Sequence, residues 1–350
     1  MRYGYWLPVF GGWLRNVPDE RMEASWSYVS RLARRSEELG YDLTLIAELF
    51  LNDIKGIDAP ALDAWSTAAA LAAVTETIEL MVAVRPNFHH PALFAKQAAN
   101  IDRIANGRLS LNVVSSWWAD EARQYGLQFD QHDDRYARTS EWLDVVDGLW
   151  TKDRFSYAGE RYQLDEAICA PKPEERPTVY AGGESDAAKT MIATQCDAYV
   201  MHGDPPEAIA PKIADMKKRR EAAGGAPMRF GMAAYSIVRD TEEEAQAELA
   251  RITALPPEPP AGFDNFEQWL SGTELERELK LQEYSVSNRG LRPNLVGTPA
   301  QVKARIAEYE AAGLDLLLLQ MSPQAEEMDR FAEQVIQPMR ARSPELVSAR

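Results

Sequence analysis

The stretch Arg108-Leu-Ser-Leu-Asn-Val-Val-Ser-Ser-Trp-Trp118 is an uncharged β-branched and aliphatic run that stops abruptly at small polar residues and two indoles. Leu109 to Val114 has the composition of a parallel strand covered on both faces. Beyond it, Asn112, Ser115, Ser116 and Trp117 offer hydrogen bonds and flat apolar surface to a planar ligand. His132-Asp-Asp-Arg-Tyr136 follows, adding a cation and a phenol before the helical run Thr139 to Leu149. A strand that delivers chemistry at its carboxyl end is one unit of a larger pattern.

Strand-like runs recur at Tyr3 to Val9, Leu43 to Ala47, Glu79 to Val84, Thr178 to Ala181, Ala198 to Met201, Arg229 to Val238 and Leu314 to Gln320. Helical runs separate them at Ala24 to Glu38, Asp63 to Thr75, Ala92 to Ala105, Asp186 to Ala193, Pro206 to Ala223, Thr241 to Ile252 and Pro299 to Ala312, and Glu326 to Met339 follows the last strand. Eight strands with covering helices predict an α/β fold, a (β/α)8 TIM barrel with its active site at the carboxyl ends of the strands. One domain is expected over residues 1–340, with a tail at 341–350. Two segments exceed a minimal barrel. Residues 119–177 contain Phe155-Ser-Tyr-Ala-Gly-Glu-Arg-Tyr162, read as a hairpin, and residues 253–297 carry a proline run and two short polar helices. The second is read as a lid, against the alternative of a surface loop without a role.

The charge balance narrows the function. With 38 basic and 54 acidic residues the net charge is -16, which argues against a nucleic-acid surface, since phosphate contacts need clustered Lys and Arg. No apolar run is long enough for a bilayer, and the amino terminus opens on a strand rather than a secretion signal. Cytoplasmic location is the expectation. Cys169 and Cys196 are too few for a disulfide framework and lack the paired spacing of a zinc site. The four histidines, His89, His90, His132 and His202, show no metal-binding spacing, so no metal is expected.

Ala181-Gly-Gly-Glu-Ser-Asp-Ala187 joins a strand to a helix, so free amides and Ser185 stand at a helix amino end, an arrangement that attracts phosphate. Arg135 supplies the counter-charge or pairs with its neighbours Asp133 and Asp134. Arg289 and Arg292, three apart in the proposed lid, form an anion clamp or remain solvated loop residues. Trp6, Phe10 and Trp13 gather near the first strand end. His202 and Tyr235 occupy positions suited to a general acid or base.

Asn112-Val-Val-Ser-Ser-Trp-Trp118, His132-Asp-Asp-Arg-Tyr136, Gly182-Gly-Glu-Ser185 and Leu295-Val-Gly-Thr-Pro299 together resemble the bacterial luciferase-like superfamily over nearly the whole chain. Within it the chain resembles the two-component monooxygenases that act on sulfoquinovose, alkanesulfonates or dimethyl sulfone. Its opening residues and Ser285-Val-Ser-Asn-Arg-Gly290 look closest to the sulfoquinovose group. The resemblance implies FMNH2 supplied by a separate NAD(P)H-dependent flavin reductase, with O2 as co-substrate. It places Asn112 on the flavin ring, Glu121 close by, Arg135 and Tyr136 on the ring or ribityl chain, and Gly182, Gly183 and Ser185 on the phosphate. Trp117 would fix the flavin face, Arg289 and Arg292 would hold a sulfonate, and Trp13 and Gln324 would complete the substrate side.

Departures from the alkanesulfonate pattern fall at Phe10, Ala61, Ala233, Tyr235, His202, Ser322 and Gln324. They weaken the case for simple alkanesulfonates and suit a hydroxyl-rich substrate, because buried hydroxyls need partners. The expected reaction is therefore cleavage of the carbon-sulfur bond of sulfoquinovose, releasing sulfite and a 6-oxo sugar. Dimethyl sulfone oxygenation is the second reading, a flavin carrier without turnover the third, and a deazaflavin-dependent dehydrogenase the fourth. The resemblance also implies a homodimer or a dimer of dimers, paired through helices beside the second and third strands.

Overall fold

In the computed structural model, the described residues are 1–254, 257–258, 260–272 and 283–341. The strands are β1 (Arg2–Trp6), β2 (Leu43–Ile46), β3 (Glu79–Val84), β4 (Leu109–Val113), β5 (Phe155–Ala158), β6 (Gln163–Ala167), β7 (Thr178–Ala181), β8 (Ala198–Met201), β9 (Arg229–Val238), β10 (Leu295–Gly297) and β11 (Leu316–Gln320). Parallel pairing runs β1-β2-β3-β4-β7-β8-β9-β11 and returns to β1, so eight strands close into a barrel. Closure leaves no open edge. The short β10 extends β9 at its far end, and β5 with β6 forms the antiparallel hairpin expected near residue 159.

Local chemistry starts and stops the covering helices. Asp63 and Ser185 accept hydrogen bonds from the amides three residues on, and Thr241 and Thr298 open complete capping boxes. Gly40 ends the helix Trp26–Leu39 in the left-handed conformation that a side chain would strain.

Size grading along the barrel axis decides where a ligand fits. Leu43, Leu45, Met81, Tyr180, Ala198, Leu316 and Leu318 fill the interior as one cluster. Gly4 makes room for them, because a Cβ there would sit 2.6 Å from Leu43 Cδ1 and 3.0 Å from Leu318 Cδ2. At the amino-terminal mouth Glu79 accepts from Arg2 and from the Ser110 hydroxyl, both at 2.6 Å, which closes that end with paired polar groups. At the carboxyl end the inward positions shrink to Ala83, Gly182 and Ala233, and the interior opens.

Two expectations change. The helix read from Thr139 begins at His132, so the His-Asp-Asp-Arg-Tyr segment is its first turn rather than a preceding loop. Its polar start gives no apolar period, although Asp134 suits the positive end of a helix dipole. The final helix is broken by a π turn at Ala332–Ile336. Among the described residues, the proposed lid contains a helix, Phe266–Gly272, and 3-10 turns at Ala261–Phe263, Glu283–Ser285 and Ser287–Arg289; residues 273–282 lie outside them. Its proline run is only partly described, and the tail beyond residue 341 lies outside the described residues. No described helix is long and apolar enough to cross a membrane.

Because Leu318 is wholly buried on the barrel axis, Leu318→Ala should lower stability by about 3 kcal/mol through lost contacts and a residual cavity. Urea unfolding followed by circular dichroism measures the loss.

Candidate active site

The interior opens at the carboxyl ends of the strands into a cavity of about 260 Å³, lined from nearly every barrel strand and from the 253–297 insertion. Its floor is Leu45 of the apolar plug together with Trp6, Ala83, Asn112, Val200 and Ala233, of which Trp6 and Val200 pack against that plug. Position on the barrel axis is therefore what makes these residues converge.

One wall is made by a glycine turn and a helix start. Gly182 and Gly183 carry the chain from β7 into the helix Asp186–Gln195, whose N-cap Ser185 accepts from the Ala188 amide at 3.2 Å. Added Cβ atoms would meet the Val200 carbonyl at 2.7 Å and Ala188 Cβ at 2.5 Å, so side chains are excluded from this close approach. A Cβ at Gly183 would also lie 3.2 Å from the Tyr136 hydroxyl, which places that phenol beside the turn. Arg135, on the first turn of the helix His132–Thr151, donates to the Ser116 carbonyl and lines the same wall.

Glu184 lies in this turn, yet its carboxylate accepts from Lys212 at 2.9 Å and from the wholly buried Arg289. Lys212 also reaches Asp204 at 3.0 Å, and Arg292 bridges Glu283 at 2.6 Å and Asp204 at 3.5 Å. Burial would raise the Glu184 carboxyl, but His202, Arg289 and Lys212 outweigh it and hold it at about 2. At neutral pH the two permanent cations carry this effect, because His202 is itself pushed down to about 4, first by burial and then by Arg289. His202 is a neutral imidazole on the cavity wall, and its buried Nδ1 has no protein partner among the described residues.

The cavity also has an aromatic wall, whose Trp269 ring lies 6.2 Å from that of His202. Trp117 stacks on Trp118 at 5.3 Å with ring planes 2° apart, and packs against the insertion's cluster of Phe263, Trp269 and Tyr284. The insertion is tied down by buried polar contacts: Arg15 pairs with Asp53 while its guanidinium lies 3.9 Å from the centre of the Tyr284 ring. Arg15 N donates to the Ser285 carbonyl, and Leu14 bridges Val286. Trp13 donates its indole N–H to Gln324 at 2.7 Å. Among the described residues, no group of three or more His, Cys, Asp or Glu side chains is arranged to hold a metal ion.

A family model described as luciferase-like monooxygenase matches residues 1–316. The chain belongs to the luciferase-like monooxygenases. A relative from Pseudomonas putida, an FMNH(2)-dependent dimethylsulfone monooxygenase, is 33% identical over 345 residues, covering 96% of this chain and 94% of the relative. A protein of the same description from Pseudomonas fluorescens (strain Pf0-1) is 32% identical over 357 residues, covering 100% and 97%. The fold is shared with the crystal structure of a long-chain alkane monooxygenase at a TM-score of 0.83 and 18% identity, covering 98% of this chain and 92% of that one.

In this luciferase-like monooxygenase the cavity brings together Trp13, Asn112, Trp117, Arg135, Tyr136, Gly182, Gly183, Ser185 and His202. Other residues singled out from the sequence lie elsewhere. Arg289 and Arg292 do not line the cavity; Arg289 pairs with Glu184, and Arg292 with Glu283 and Asp204, so in place of the anion clamp expected on the lid they form an internal ion-pair network. Tyr235 is buried off the cavity, with burial pushing its phenol well above the ordinary value, and Gln324 stands behind Trp13. Glu121 is one layer back, accepting from Arg85 and from the Phe50 amide at 2.6 Å. Sequence reasoning missed Glu48, Asp53, Trp269 and Tyr284 as cavity residues. Glu48 carried a signal, an acid directly after the apolar β2 run, whereas the insertion aromatics carried none.

The folded state keeps His202 neutral, while an unfolded histidine binds a proton at about pH 6.5. Between pH 6.5 and about 4 the unfolded chain therefore holds the extra proton, and stability falls with acidification by about 3 kcal/mol. In His202→Gln most of that loss should vanish, as measured by urea unfolding across the same pH range.

Proposed function

We propose that this monooxygenase uses FMNH2 and O2 to oxygenate a small neutral sulfone, with dimethyl sulfone as the candidate substrate, and takes its reduced flavin from a separate NAD(P)H-dependent reductase. One observation carries the choice of a neutral substrate. Arg15, Arg85, Arg289, Arg292 and Lys212, which line or back the cavity, are each bound to at least one buried or half-buried carboxylate. A sulfonate would have to compete with those carboxylates for its countercharge. The description of the two Pseudomonas relatives supports the same reading over sulfoquinovose.

The donor set fits FMN. The Gly182–Gly183 turn, the amides of the helix start at Ser185 and the Arg135 guanidinium suit the phosphate, with Tyr136 beside the chain that follows it. Asn112 suits the polar edge of the ring, and Trp117 suits its flat face. Glu121 acts from behind by orienting Arg85. When bound, the flavin supplies the electrons and the oxygen activation that no side chain here can supply.

The protein's own tasks are then orientation and dryness. Neutral His202 offers one N–H to a sulfonyl oxygen without bringing charge, and Trp13, held by Gln324, offers apolar surface to a methyl group. The cluster of Trp117, Phe263, Trp269 and Tyr284 covers the cavity against water. Oxygen insertion at a methyl carbon gives a hydroxymethyl sulfone, whose carbon-sulfur bond breaks as the hydroxyl proton leaves. The balance is dimethyl sulfone, FMNH2 and O2 giving methanesulfinic acid, formaldehyde, FMN and water.

With a generic flavin reductase, NAD(P)H and FMN, the protein should form formaldehyde and methanesulfinate from dimethyl sulfone. Sulfite release from sulfoquinovose or methanesulfonate at equal or greater kcat/KM would reject the neutral-substrate reading, and binding without turnover of any of these would favour a carrier.

Arg135→Gln should weaken FMN binding about tenfold, the worth of one charge-assisted hydrogen bond, while riboflavin binding, which has no phosphate, stays unchanged. Fluorescence titration with both flavins separates the two effects.

A further inference from the structure

Beside the cavity lies a buried cluster of two carboxylates, one guanidinium and one imidazole. Glu48 follows β2 and lines the cavity, and its side chain is 1% exposed. One of its oxygens accepts the Arg85 amide at 2.8 Å and stands 3.5 Å from Arg85 Nε. The other lies 2.6 Å from Nε2 of His89. Arg85 is also bound by Glu121, whose remaining oxygen accepts the Phe50 and Leu51 amides. The side chain of His89 is 18% exposed, so it joins the buried carboxylate to solvent. From the surrounding helices Trp65 and Phe94 meet the imidazole ring edge-on, and Trp142 donates to the His89 carbonyl; none of these titrates near neutral pH.

Two carboxylates face one guanidinium, which leaves one uncompensated negative charge whenever His89 is neutral. Such a charge is expensive away from water. The cost rises further if a second anion enters the adjoining cavity, because the two would repel across a medium of low dielectric constant. A proton on His89 makes the cluster neutral, and the 2.6 Å contact to Glu48 places that proton on the path from solvent to the cavity wall.

We propose that His89 and Glu48 form a proton relay that loads one proton from solvent as the anionic ring of reduced flavin enters, so that Glu48 is the cavity's proton reservoir. The proposal rests on the flavin reading above but not on the identity of the organosulfur substrate. In the relay a solvent proton goes to the imidazole, the imidazolium donates to the Glu48 carboxylate, and no electrons are exchanged. His89 is a positioning residue that acts through Glu48.

The test is anaerobic titration calorimetry of the whole protein with FMNH2 at about pH 8, in buffers of different ionisation heat, which counts the protons exchanged on binding. Wild-type protein should take up about one proton per FMNH2, and none with oxidised FMN, whose ring is uncharged. His89→Gln keeps a donor to Glu48 but cannot hold the charge; it and Glu48→Gln should bind FMNH2 with the uptake abolished. Equal uptake by wild type and His89→Gln would overturn the relay, as would equal uptake from the two flavin redox states in wild type alone, a comparison that needs no variant to fold. Failure to bind either flavin would instead reject the flavin reading.

Discussion

A guanidinium that has lost its water must be met by a carboxylate, and the upper half of this barrel is organised around that requirement. Arg289 of the insertion is buried against Glu184 of the β7 turn, Arg15 of the first loop against Asp53 of the second, and Arg85 after β3 against Glu121 and Glu48. Each pair joins segments distant in sequence. Removing one partner would leave the other charged and dry, so the strand-end loops and the insertion hold their positions together.

The same pairing shapes the chemistry. The network engages Arg15, Arg85 and Glu184 of the cavity lining in ion pairs, and the lining also presents indole, phenol, small aliphatic groups and the imidazole of His202. The cluster at Glu48 and His89, with two carboxylates to one guanidinium, adjoins the cavity.

Below the rim, a gradient of side-chain size along the axis fixes the depth at which a ligand rests. Leu43, Met81, Leu316 and Leu318 fill the lower barrel, helped by Gly4, while Ala83, Gly182 and Ala233 hollow out the upper part. The packed plug underlies the hollow mouth, and the eightfold closure makes nearly every strand end contribute to the same space.

The barrel was legible in the sequence because its causes are local. Apolar runs such as Glu79 to Val84 and Arg229 to Val238, separated by capped helices, encode the strands with their observed limits. The Gly-Gly turn and its N-cap serine were legible for the same reason, since backbone geometry and capping act within a few residues. The partners of the arginines were settled only by the tertiary structure. Arg289 and Glu184 are 105 positions apart, and whether a guanidinium faces a ligand or an internal carboxylate depends on which segments pack against it. Sequence alone showed where charge resides along the chain; burial and the neighbours brought by folding decided which charges remained available.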